Sequence, residues 1–167
     1  DGYTIVQTGV GQNAVAHGLD PNLKYDSIKD FIHISHVHSG PNVLVVHPST
    51  PFTSFKQLVE YVRKNPGKLN YASAGNGTSH HLAGELFKLQ TQTFITHIPY
   101  RGAGPALQDL IAGQVDILFD GLASSATHIK SGRIKALAVA APKRAPGFPD
   151  IPTTAEAGVP SYVVATW

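Results

Sequence analysis

Leu69 to Gln90 reads LNYASAGNGTSHHLAGELFKLQ, a spacing that predicts a short strand, a glycine-hinged turn and an amphipathic helix. Gly67 and Gly75 bound the strand around Tyr71. Leu82, Leu86 and Leu89 recur at the i, i+4, i+7 spacing of one buried stripe. Gly75 and Gly77 supply backbone freedom for the turn, and Thr78 or Ser79 caps the helix. The first amides of such a helix carry partial positive charge and unused donors, which suits a carboxylate or another small anion. The candidate solute contacts here are Ala74, Gly75, Asn76, Gly77, Thr78, Ser79 and His80.

The turn lacks the Gly-Lys-Ser/Thr ending of a phosphate-cradling loop, and it lacks the third glycine and downstream acid of a dinucleotide fingerprint. A nucleotide is therefore not the expected ligand. The competing reading is a tight connection whose glycines serve packing alone. Asn76-Gly77-Thr78 also matches a glycosylation acceptor, a three-residue pattern that arises often by chance.

A second unit of the same kind follows. Thr96 to Tyr100 reads as a strand, Arg101-Gly102-Ala103-Gly104 as a loop, and Pro105 as the first position of a helix with Leu107, Leu110 and Ile111 inside. Gly113 ends that helix in a left-handed cap, and Val115 to Phe119 follows as a strand, completing a strand-helix-strand crossover with parallel strands. Open α/β sheets collect ligands beyond the strand carboxyl ends, where both glycine turns and Asp120-Gly121 lie.

With 167 residues and 42% hydrophobic content, the chain can bury one core of ordinary size. It holds no apolar run long enough to span a bilayer and no signal pattern ahead of Asp1. Zero Cys excludes disulfides and thiolate metal sites. The formal charge is +2 with Lys and Arg scattered, so no basic stripe for nucleic acid exists.

Along the chain, Gly2 to Thr8 reads as a strand, and Gly9 to Pro41 as an irregular first crossover with few periodic signals. Strands and helices then alternate from Asn42 to about Ala140: a strand at Val43 to Val46, a helix at Phe55 to Lys64, the two units above, another short helix, and a strand at Ile134 to Val139. Ser54-Phe55-Lys56-Gln57 is a capping box, and Phe55, Leu58, Val59 and Val62 form the buried face of its helix. Pro142 to Pro152 holds four prolines and reads as an extended return strand or a linker, after which Thr153 to Glu156 caps one helical turn ended by Gly158. The expected division is 1–41, a partial first lobe and crossover; 42–140, a complete α/β lobe; and 141–167, a return segment.

Other chemistry weighs less. His33, His36 and His38 lie within six residues, but no third ligand sits at a motif spacing, so no metal or cofactor is expected. His80 and His81, neighbours on a helix, point about 100° apart and do not share an ion easily. His81 reads as structural. A nucleophile elbow is absent and the carboxylates are dispersed, which argues against hydrolysis. Asp116 reads as facing outward. Asp120, at a strand end, either faces the cleft or bonds turn amides, and Arg101 either pairs a solute carboxylate or forms a surface salt bridge. Thr8 and His36 complete the candidate solute-binding set.

Four ordered blocks carry a family resemblance: PNVLVVHPSTP at Pro41 to Pro51, GKLNYASAGNGTSHHLAGELF at Gly67 to Phe87, IPYRGAGPALQDLIAGQVDILFD at Ile98 to Asp120, and GRIKALAV followed by FPDIPTTAEAGVP. Together they resemble the solute receptors of the tripartite tricarboxylate transporter family, the Bug-type periplasmic binding proteins, over nearly the whole chain. The resemblance implies an α/β fold of the type II periplasmic-binding-protein kind, with one complete lobe and an incomplete second lobe. It also implies a carboxylate-bearing solute in the cleft and delivery to a membrane permease from the periplasm. Family members carry an export signal and a first strand with a Pro-Gly-Gly-type loop ahead of Asp1, and further helices after Trp167. Those segments and any Met are missing here, as expected of an excised portion. Gly121 stands where the family more commonly has Asn, so no side-chain contact is expected from that position.

A micromolar receptor needs about 8 kcal/mol net, whereas two or three charge-assisted bonds of roughly 1.5–3 kcal/mol each must first offset association entropy. One turn falls short, so the expected mechanism is hinge closure of two lobes about the Pro41 and Ala140 crossovers. Two rival readings remain: an effector-sensing module of a regulator, marked by an upstream helix-turn-helix, and an enzyme acting on a small carboxylate. The edge of the Tyr3 to Thr8 strand also predicts dimerisation.

Overall fold

In the computed structural model, which describes residues 2–167, five long strands form one sheet in the order β3-β2-β4-β1-β5, with β6 (Ala165–Thr166) paired to the start of β1. The strands are β1 (Gly40–Val46), β2 (Asn70–Ser73), β3 (Thr96–Pro99), β4 (Ile117–Gly121) and β5 (Lys135–Val139). Strand β2 runs parallel to both β3 and β4, while β1 runs antiparallel to β4 and β5. The crossover read from the sequence between β3 and β4 is thus parallel, with β2 lying between them. Only β1 is reversed. The carboxyl ends of β2 to β5 and the start of β1 therefore share one edge.

Both faces of the sheet are covered, which is why β1 carries an unbroken run of buried residues from Val43 to Val46. Leu44 and Val46 meet α2 (Phe55–Lys64) and α3 (Ser79–Thr91) through Phe55, Leu58, Val62, Ala83 and Phe87. Val43 and Val45 face α4 (Ala103–Ile111) and α5 (Leu122–Lys130) through Ala106, Leu110 and Leu122.

Local signals act where their chemistry is present. Ser54 Oγ accepts from the Gln57 amide at 3.2 Å, and the Gln57 side chain reaches back to the Thr53 amide at 2.8 Å. Thr153 and Glu156 bond reciprocally, Thr153 N to Glu156 Oε2 at 2.7 Å and Glu156 N to Thr153 Oγ1 at 3.1 Å. Gly113 ends α4 with φ +72°.

Several expectations are corrected. Residues 2–9 form no strand, because a ladder needs a neighbour and no strand beside them is formed among the described residues; the edge on which dimerisation rested is therefore not made. The stretch read as an irregular crossover opens with a π-helical turn, Gly11–Val15, running into a short helix, α1 (Ala16–Leu19). The leucines of α3 do not form its buried stripe: Leu82 and Leu89 are 40% and 73% exposed, and the inward face is His80, Ala83, Gly84, Phe87 and Thr91. Small residues win there because the Tyr71 ring occupies the space beside Gly84. Pro105 stands third in α4 rather than first, still within the turn whose amides have no helical acceptor. Of the two readings of Pro142 to Pro152, the strand is not formed; the segment is a linker of bends and turns.

Candidate functional site

The turn between β2 and α3 is built by its own side chains. Gly75 (φ +126°) and Gly77 (φ +76°) occupy backbone conformations that L side chains rarely adopt. Thr78 caps α3, its Oγ1 accepting from the His81 amide at 3.4 Å and donating to the Gly75 carbonyl at 2.7 Å. Four amides are occupied within the protein: Gly75 N donates to Ser73 Oγ, Gly77 N to His81 Nδ1, Thr78 N to the Gly75 carbonyl and His81 N to Thr78. The amides of Asn76, Ser79 and His80 donate to no protein acceptor among the described residues. No acidic side chain lies in the first turn of α3, so the positive end of this 13-residue helix is not neutralised from within.

The second glycine loop is tied to the first, since Tyr100 N donates to the Ser73 carbonyl and Gly102 N to the Ala74 carbonyl at 3.2 Å. Arg101 sits exposed on this loop and makes no ion pair among the described residues.

Asp120, fully buried at the end of β4, closes the other side. Its Oδ2 accepts from Ser124 Oγ at 2.7 Å and Ser125 Oγ at 2.6 Å, and its Oδ1 lies 3.5 Å from His80 Nε2. At that separation Oδ1 has no hydrogen-bond partner, and neither do His80 Nδ1 or the two amide atoms of buried Asn42. Burial pushes His80 below the ordinary imidazole range, and the Asp120 carboxylate only partly offsets it, so the ring is neutral at pH 7.

Ala74 to His80, Asp120 and the Arg101 loop are thus brought to one edge of the sheet. Thr8 and His36 are not brought to the turn by any bond. Thr8 bonds Asn13 at 3.3 Å, and His36 is exposed on the stretch between α1 and β1. What the sequence reading missed is the helical segment Gly11 to Leu19. It packs on Gly77, where an added Cβ would meet Leu19 Cδ1 at 2.9 Å, and through Gln12 and Leu19 it bounds a cavity of about 260 Å³ with Asn76 and Thr78. Nine residues in two short helical pieces, with Gly18 inside the second, gave no periodic stripe to read. Also missed were Ser73 and His97, which shape the turn from behind together with His81, the residue read as structural.

A family model described as "Tripartite tricarboxylate transporter family receptor" matches residues 1–167. Among curated proteins, the "UPF0065 protein in tcbD-tcbE intergenic region" of Pseudomonas sp. (strain P51) is 41% identical over 100% of this chain and 50% of its own length. An R. palustris protein solved with adipate superposes with TM-score 0.95 at 39% identity, covering 100% of this chain and 56% of that one. MatC from Rhodopseudomonas palustris with bound malate gives TM-score 0.89 at 33% identity, covering 95% and 54%. The chain spans about half the length of the curated relatives it matches.

Proposed function

Because the chain belongs to the tripartite tricarboxylate transporter receptor family, and to its Bug-type members, we propose that it supplies the gripping lobe of a periplasmic receptor for a small carboxylate. The observation that carries this reading is the set of three uncommitted amides, Asn76, Ser79 and His80, at the un-neutralised start of α3. A carboxylate there gains charge-assisted bonds and the helix-end potential together. Arg101 and Asp120 flank the position, Arg101 as a counter-charge and Asp120 as an acceptor for a donor group on the solute. Structural neighbours carrying adipate and malate support a dicarboxylate-sized solute.

Residues 42–140 form the complete lobe, residues 141–167 pack back onto it through Ile151 and Tyr162, and 1–41 belong to the opposing one. The hinge lies where β6 pairs with Gly40 and Pro41, the place at which both segments leave this lobe. The receptor binds and hands over its solute to a membrane permease; it does not transform it. Titration calorimetry with adipate, malate and acetate tests this on the 167-residue chain and on the parent protein. Micromolar binding of a dicarboxylate by the parent and binding at least tenfold weaker by this chain is the expected result. Failure of the parent to bind any carboxylate would remove the reading.

A further inference from the structure

Two imidazoles stack behind the glycine turn. The His81 and His97 ring centroids are 4.3 Å apart at an interplanar angle of 18°, and Tyr71 stacks on His97 at 4.8 Å. Each imidazole ends on the turn. His81 Nδ1 accepts the Gly77 amide at 3.1 Å, and His97 Nε2 lies 2.6 Å from Ser73 Oγ, the atom that accepts the Gly75 amide at 3.1 Å. Since an imidazole nitrogen that accepts carries no proton, the neutral His81 ring keeps its hydrogen on Nε2, the side of Glu85 Oε1 at 3.9 Å.

We propose that His81 is a positioning residue: by holding the Gly77 amide it fixes the turn so that Asn76, Ser79 and His80 present theirs to solute. The solute half of this statement rests on the receptor reading above. The ring is itself held in place: Glu85 of α3, whose Oε1 is shared with Lys88 Nζ at 2.8 Å and the Tyr71 hydroxyl at 2.7 Å, lies on its Nε2 side, and His97 of β3 stacks on its face. The effect is local, because the Ser73 arm holds Gly75 independently of the His81 arm on Gly77.

Nuclear magnetic resonance on the labelled chain without solute reads the hold directly. H81N, whose side-chain oxygen stands in for Nδ1, keeps Gly77 bonded and its exchange protection intact. H81F frees Gly77 and lowers its exchange protection about 5- to 10-fold, the loss of one ordinary hydrogen bond. In the parent protein, H81F weakens binding of adipate or malate by a similar factor and H81N restores most of it. Gly77 protection unchanged in H81F, or no better in H81N than in H81F, overturns the proposal. Protection lost in H81F and kept in H81N, while neither acid binds the parent, upholds the hold on Gly77 and overturns the receptor reading instead.

Discussion

Gly84 of α3 lies directly against the Tyr71 ring of β2, so closely that a Cβ at Gly84 would sit 2.2 Å from Tyr71 Cε2. The ring cannot retreat: it is fully buried, its hydroxyl bonds Glu85 Oε1 at 2.7 Å, and it meets Phe119 edge-on and His97 face-on. Gly84→Ala is therefore expected to destabilise the protein by about 1–3 kcal/mol despite the higher helix propensity of Ala, because overpacking exceeds the ~1 kcal/mol that Ala gains in a helix interior. Leu82→Ala and Leu89→Ala, on the exposed face, are expected to cost well under that. Urea unfolding midpoints of the three variants give the ranking, and an unchanged or raised midpoint for Gly84→Ala would contradict the close approach.

That ranking also marks how far the sequence could be read. Turn chemistry was legible wherever a residue's own backbone or hydroxyl did the work, as at Gly113, at Ser54 with Gln57 and at Thr153 with Glu156. The α3 face was not, because three leucines at helical spacing look like a core stripe and nothing in the local pattern announces an aromatic ring from a neighbouring strand. The reversed direction of β1 was hidden for a similar reason: its residues are buried on both sides whichever way it runs. The candidate site was legible in part. Idle donors at the start of α3 were expected, but the assignment of Gly77 to His81 and of Gly75 to Ser73 depends on partners brought together only by folding.

Thr78 joins the cap to the turn through one oxygen. Thr78→Ala is expected to lose about 1 kcal/mol of stability, the usual worth of an N-cap, and also to loosen the Gly75 carbonyl that Thr78 Oγ1 bonds at 2.7 Å. Thr78→Ser keeps both bonds and should retain most of the stability. Carboxylate affinity measured by calorimetry on the parent protein should follow the same order, with Thr78→Ala weaker than Thr78→Ser. Equal affinities would separate the cap from the site.

His80 sets a pH dependence of stability. Burial holds its folded-state value below the ordinary imidazole range, so the unfolded chain takes the proton more readily. The contribution is intact above the ordinary value and is lost as pH falls through it toward the folded value, at no more than about 1.4 kcal/mol per pH unit for one proton. His97, lowered by burial and by neighbouring His81, acts in the same direction. Urea midpoints compared at about pH 7.5 and pH 5.5 should therefore converge in His80→Gln relative to the unsubstituted protein, with the residual slope belonging largely to His97. A slope that His80→Gln leaves untouched would place the responsible group elsewhere.

Tyr162 decides whether the return segment is a tether or part of the lobe. Its ring is 1% exposed among Phe55, Phe119 and Phe87, and its hydroxyl donates to the Ala83 carbonyl of α3 at 2.9 Å, across 79 residues of sequence. Its own carbonyl accepts from buried Thr154 Oγ1, so one residue closes the segment on itself and onto the helix. Tyr162→Phe removes only the hydroxyl bond, for an expected loss of about 1 kcal/mol, or somewhat more because the donor was buried. Tyr162→Ala also empties the space between α2, α3 and β4, for about 3–5 kcal/mol, a large share of the stability of a domain this size. Two-state urea curves should show the first as a shift and the second as near loss of the folded baseline. If Tyr162→Ala proves as mild as Tyr162→Phe, the ring is not buried in solution, and residues 141–167 only lean on a lobe that is complete without them.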